Sequence, residues 1–135
     1  MAGERTSKDN SPGKLTAPEI VLIRGLPGSG KSTMAKEMKS HTHIEADQFF
    51  DVAGEYKYNP ELVQKAHAWC LEQVKAALKE GKNVVVANTF IRKWEMQPYQ
   101  KLGYRVRVIV ATGKYPNLHG VSPEKMELIR GRWEA

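Results

Sequence analysis

Ile20-Val21-Leu22-Ile23-Arg24-Gly25-Leu26-Pro27-Gly28-Ser29-Gly30-Lys31-Ser32-Thr33 joins a short apolar run to a glycine-rich loop and then to a helical pattern. The apolar run suits a strand buried on both faces. Met34, Ala35 and Met38 continue the segment at helical spacing to about Ser40. Between them, Gly25 through Ser32 match G-x-x-x-x-G-K-[ST], the Walker A pattern, in full. Glycines there let the backbone wrap so that several N–H groups point at one phosphate, and the following helix aims its positive end at the same place. Lys31 can reach the outer phosphates of a nucleoside triphosphate, and the Ser32 hydroxyl can ligate magnesium. The expected nucleotide-binding set is Gly25, Leu26, Pro27, Gly28, Ser29, Gly30, Lys31, Ser32 and Thr33, with ATP and Mg2+ as cofactors.

The rest of the chain repeats the alternation. His43-Ile44-Glu45-Ala46 is a weak second strand that ends at Asp47. Asn59-Pro60 opens a helix whose stripe is Val63, Ala66, Cys70, Val74, Ala77 and Leu78, closed by Gly81. Val84–Ala87 is a third buried strand, followed by Asn88-Thr89. Trp94 to Leu102 reads as partly helical, with Pro98 as a break or kink. Arg105–Val110 is a fourth strand, alternating and then fully apolar, and Ser122-Pro123 caps a last helix running to about Trp133. The order β-α-β-α-β-α-β-α predicts an α/β fold: a three-layer α/β/α sandwich of the P-loop NTPase type with about four parallel strands. Ligands in such sheets bind beyond the carboxyl ends of the strands. The loop, Asp47, Asn88-Thr89 and the segment after Val110 all fall there.

Composition sets the bounds. The 135 residues suffice for one core, and 41% hydrophobic with 27% charged residues suits a soluble folded chain. Residues 1–18 are polar without an apolar period and read as a flexible tail, with the domain over 19–135. Cys70 is the single cysteine, so no intrachain bridge forms and a reducing compartment is expected; its place in the helical stripe makes it a core residue. No stretch approaches the roughly 18 apolar residues of a membrane span, and no apolar leader is visible, which predicts a cytoplasmic protein without a membrane partner. The net charge of +6 fits a polyanionic partner.

The acid that many P-loop proteins place after a later strand is missing: Ala87 is followed by Asn88, and Val110 by Ala111-Thr112. Asp47 is the strand-end acid available. Across the cleft it can accept a proton from an attacking hydroxyl; a helix cap or a magnesium-water ligand are its other readings. Glu45 is expected to be solvated or a secondary contact. Arg92 and Lys93 can meet an acceptor phosphate or start a helix, while Trp69 and Trp94 are expected in the core. Tyr56-Lys57-Tyr58 mixes aromatic and basic character, as single-stranded nucleic acid sites do and as ordinary loops also do. Arg130 and Arg132 can turn back toward the site, but on a terminal helix they are expected to be solvated, and His119 can approach a nucleotide base.

VLIRGLPGSGKSTMAKEM, EADQFF, YNPELVQKAHAWC, NVVVANTFIRKWEMQPY and NLHGVSPEKMELIRGRWE together resemble the 5′-hydroxyl polynucleotide kinase group of P-loop proteins. They are most similar to small AAA-type ATP-binding proteins of phages and bacteria, and to a kinase-like domain of eukaryotic ubiquitin-ligase-binding proteins. The resemblance covers residues 19–134, and W-E-M-x-P-Y and N-x-H-G-V are its most specific segments. It implies phosphoryl transfer from ATP to a hydroxyl, foremost the 5′-hydroxyl of RNA or DNA, with Lys31 and Asp47 catalytic and Asn88, Thr89 and Arg92 toward the acceptor. The partners it implies are a nucleoside triphosphate and the 5′ end of a single strand. Gln48 stands where the family often has a second acid, and Phe90 where it has an Asn, either stacking on a base or filling the core. The family's paired lid arginines lack a counterpart in Ala111–Pro116, where Lys114 is the cation. A small-molecule or nucleoside kinase, and an ATP-binding regulatory module with a reduced lid, are the alternatives.

Overall fold

The structure, a computed structural model, describes residues 17–52, 55–113 and 121–135. The expected tail over residues 1–16, and Lys114, Asn117, His119 and Gly120, lie outside the described residues.

β1 (Glu19–Arg24) feeds the glycine loop, which opens α1 (Lys31–Glu37). β2 (Thr42–Ile44) follows and gives way to a 3-10 turn over Ala46–Phe50. A two-residue hairpin, β3 (Asp51–Val52) with β4 (Glu55–Tyr56), comes next and was not predicted. Asn59 caps the start of a 3-10 turn at Pro60–Leu62 by accepting from the Glu61 N–H, and α2 (Val63–Lys79) runs on from it. After β5 (Val84–Ala87), a 3-10 turn over Lys93–Met96 leads into α3 (Gln97–Gln100). Pro98 does not break this segment; it sits in the first turn of α3, where its missing N–H has no helical acceptor to lose. β6 (Arg105–Val110) and α4 (Pro123–Arg132), capped by the Ser122 hydroxyl, complete the order.

Four strands form one parallel sheet in the order β2-β5-β1-β6. Strand alternation divides the core into two layers. Ile20, Leu22, Val84 and Val86 face α2 and α3, packing with Ala66, Cys70, Val74 and Tyr99. Val21, Ile23, Val85 and Ala87 face α1 and its Ala35. The predicted stripe of α2 is the one that is buried from Ala66 to Leu78.

β6, alternating and then fully apolar in sequence, leaves part of its apolar end uncovered. It is an edge strand, with Val108 43% and Val110 48% exposed, because it pairs along one side only and only Val106 reaches the α2–α3 layer. Trp94 departs from expectation: it is 64% exposed rather than core. The 3-10 turn advances three residues per turn, so Met96 and Tyr99 take the inward positions and Trp94 is turned out. Phe90 fills the core, 2% exposed with its ring edge-on to Tyr99, and adopts φ +47.

Candidate active site

The four strand ends present their loops in sheet order: Glu45 to Asp47 after β2, Asn88-Thr89 after β5, the glycine loop after β1, and Ala111 to Gly113 after β6. The loop is tied on both flanks, Gly25 N–H donating to Thr89 O at 3.2 Å and Gly113 N–H to Ser29 O at 3.0 Å. Gly25 is required by crowding: a Cβ there would lie 2.3 Å from Ser29 Oγ and 2.9 Å from Ala111 O. Gly28 and Gly30 take φ +80 and +93, which l-side chains rarely adopt.

Lys31 extends its ammonium over the loop to Leu26 O at 3.1 Å. Burial pulls its pKa below the ordinary lysine value, and the negative charges of Glu45 and Asp47 oppose that shift. Both carboxylates therefore act electrostatically on the phosphate-facing lysine. Of the two places expected for Glu45, solvated or a secondary contact, it takes the contact. Its side chain is 13% exposed; Oε2 accepts from Ser32 Oγ at 2.5 Å and lies 2.5 Å from His43 Nε2. Burial alone would raise its pKa, but His43, Ser32 and Lys31 together bring it below the usual carboxylate range. Asp47 accepts a hydrogen bond from the Tyr56 hydroxyl at 3.2 Å, delivered by the small hairpin.

Asn88 and Thr89 reach this site through the scaffold. Asn88 is buried; its Oδ1 accepts from Ala46 N–H at 3.0 Å and its Nδ2 lies 3.7 Å from Cys70 Sγ, so it holds the turn that carries Asp47. Thr89 offers its carbonyl to Gly25. Arg92 is exposed beside Lys93 and Trp94, and Thr33 is exposed in the first turn of α1.

Sequence reading missed Arg24. It is 3% exposed, donates to the carbonyls of Phe90 (3.0 and 2.8 Å), Ile91 (3.1 Å) and Glu134 (2.5 Å), and its guanidinium stacks 4.1 Å from the Trp133 ring centroid. An arginine inside an otherwise apolar strand was the available signal. The clamp brings the end of α4 to the site, where a cavity of about 480 Å³ opens between Leu26–Ser29, Val110–Gly113 and the α4 residues Met126, Arg130 and Trp133. Arg130 thus lines the cavity while pairing with Glu127, and Arg132 is exposed.

The residues fit a nucleotide with magnesium. The loop contributes a desolvated lysine and a serine hydroxyl, and Ser29 Oγ is buried with no hydrogen-bond partner among the described residues. Fold and loop together define a P-loop phosphotransferase domain. A family model described as an AAA domain matches residues 20–112, and the chain belongs to that family of P-loop kinase domains. It is 34% identical over 125 residues to human NEDD4-binding protein 2, covering 79% of this chain and 7% of that protein. It is 27% identical over 103 residues to a candidate bifunctional polynucleotide kinase/RNA ligase of Autographa californica nuclear polyhedrosis virus, covering 64% of this chain and 15% of the viral protein. A chain of the solved Pnkp1/Rnl/Hen1 complex shares the fold with a TM-score of 0.60 at 23% identity, over 77% of this chain and 38% of that one. This chain therefore spans a small part of the relatives it matches.

Proposed function

We propose that the domain transfers the γ-phosphoryl group of ATP to a hydroxyl, foremost the 5′-hydroxyl of a polynucleotide. The observation that carries this reading is that Lys31 and Asp47, opposite charges on the loops after β1 and β2 with β5 between those strands, stand at the carboxyl end of the sheet close enough to act on each other electrostatically. The loop amides and Lys31 hold the triphosphate, and Ser32 holds the magnesium; bound ATP supplies the group transferred. Asp47 accepts the proton of the acceptor hydroxyl, held in orientation by Tyr56 from one side and by the Asn88–Ala46 bond from below. The polynucleotide assignment draws support from the viral relative's name and from the exposed Arg92, Lys93 and Trp94, which follow the strand beside Asp47 and offer charge and a stacking face.

The test is transfer of labelled γ-phosphate to a 5′-hydroxyl oligonucleotide, with nucleosides and sugars as competing acceptors. Asp47→Asn is expected to lower transfer by at least about a hundredfold while leaving ATP affinity within twofold, about the range of measurement. Lys31→Ala is expected to weaken ATP binding itself. Transfer that favours a nucleoside or sugar over the oligonucleotide would replace the acceptor, and ATP binding without any product would leave a regulatory module.

A further inference from the structure

Glu45 occupies a place that the later strands leave empty. The residues that follow β5 and β6 beside the loop are Asn88 and Ala111, neither of them an acid, and the Asn88 amide is turned to Ala46 and Cys70. β2 provides the carboxylate instead. His43 and Glu45 stand two residues apart, so strand alternation puts both on one side of the chain, and their side chains meet at 2.5 Å. The Asn88 bond to Ala46 N–H fixes the backbone immediately after Glu45. From that position Glu45 Oε2 accepts the hydrogen of Ser32 Oγ at 2.5 Å.

A hydroxyl that gives a lone pair to a cation has a more polarised O–H, and a carboxylate accepting that hydrogen holds the oxygen in place for the metal. Magnesium also keeps several of its waters when protein-bound, and those waters need carboxylate acceptors. Resting on the nucleotide reading above, we propose that Glu45 is the magnesium-side carboxylate of this site. It steadies Ser32 and accepts from water in the shell of the cation, backed by His43, which leaves Asp47 to serve the acceptor. The two acids on one turn thus divide the work, Glu45 for the metal and Asp47 for the hydroxyl.

The test reads metal affinity rather than turnover. Manganese binding is followed by titrating Mn2+ into the full chain saturated with a non-hydrolysable ATP analogue. Glu45→Gln is expected to weaken Mn2+ by about tenfold or more, with the affinity for the analogue in EDTA not weakened, since a negative charge beside the phosphates is removed. Asp47→Asn is expected to shift Mn2+ affinity by less than about threefold. Because Glu45 acts through Ser32, the losses from Ser32→Ala and Glu45→Gln are expected to be less than additive in the double variant. Parental Mn2+ affinity in Glu45→Gln, or fully additive losses, overturns the role. A melting curve identifies a variant that has lost the fold. If Glu45→Gln is one, Glu45→Asp carries the test: it keeps the charge but draws the carboxylate back from Ser32, and is expected to weaken Mn2+ at least about threefold, while parental affinity overturns the proposal. Failure of the parent chain to bind the analogue at all overturns the nucleotide reading itself and is distinct from each of these results.

Discussion

Single side chains in this site act through one another. Tyr56 illustrates it: its hydroxyl donates to Asp47, and burial first and then the Asp47 charge push its own pKa well above the ordinary tyrosine value, so it remains a donor across the neutral range. Tyr56→Phe removes that donor with little change of volume. A net hydrogen bond is worth about 1 kcal/mol, which corresponds to roughly fivefold in rate. The expected outcome is a fall in kcat of about that size, with ATP affinity unchanged and melting temperature lowered by no more than about five degrees; an unaltered kcat would show that Asp47 needs no support from the hairpin. Lys31, Ser32 and Asp47 were legible in the sequence as candidates because a local pattern or a strand end announces them. Tyr56 and Glu45 were not, since a contact between residues 47 and 56, or between 32 and 45, leaves no mark in either segment.

At the scale of elements, α4 is attached more by its end than by its face. None of its residues from Pro123 to Arg132 is buried, yet Trp133 and Glu134 are held by the Arg24 clamp, Glu134 N–H donates to Ile91 O at 2.9 Å, and Glu134 Oε1 accepts from Lys93 N–H at 2.7 Å. The same guanidinium bonds the carbonyl of Phe90, whose left-handed backbone costs on the order of 1 kcal/mol for a bulky residue. Arg24→Met keeps an apolar stem in the strand but leaves the Phe90 and Glu134 carbonyls without the guanidinium donor, and Ile91 with the Glu134 N–H alone. A loss of about 2 kcal/mol or more is expected, together with faster amide exchange in α4 than in α2. Equal protection of α4 in parent and variant would place its anchorage elsewhere. The caps at Asn59 and Ser122 were readable because each is a matter of a few adjacent residues. Exposure of Trp94 and of the β6 valines was not. The first depends on a switch of helical period and the second on sheet order.

Across the whole molecule, Glu19 joins three segments at the opposite end of the sheet. Its carboxylate accepts from Arg107 Nε at 3.1 Å and Nη2 at 2.9 Å, and lies 2.8 Å from His41 Nε2 between α1 and β2. Arg107 chiefly lowers its pKa, against burial and with help from His41, from 4.5 to about 2. A carboxylate held below its unfolded value adds stability that is complete above pH 4.5 and is lost as pH falls through the folded value, because the unfolded chain takes up the proton first. Melting temperature is therefore expected to fall between about pH 4.5 and pH 2, and Glu19→Gln to flatten that part of the profile. A profile identical in the variant would remove Glu19 from the account. The sequence alone determined the parallel α/β layering, the phosphate loop and the acid after the second strand, because apolar period, glycine spacing and capping residues act over a few neighbouring positions. Tertiary structure decided the rest: which acid meets Ser32, what holds Asp47, how α4 is tied down and which strand lies at the edge. Each of these is a contact between distant segments, set by packing and burial that no local pattern encodes.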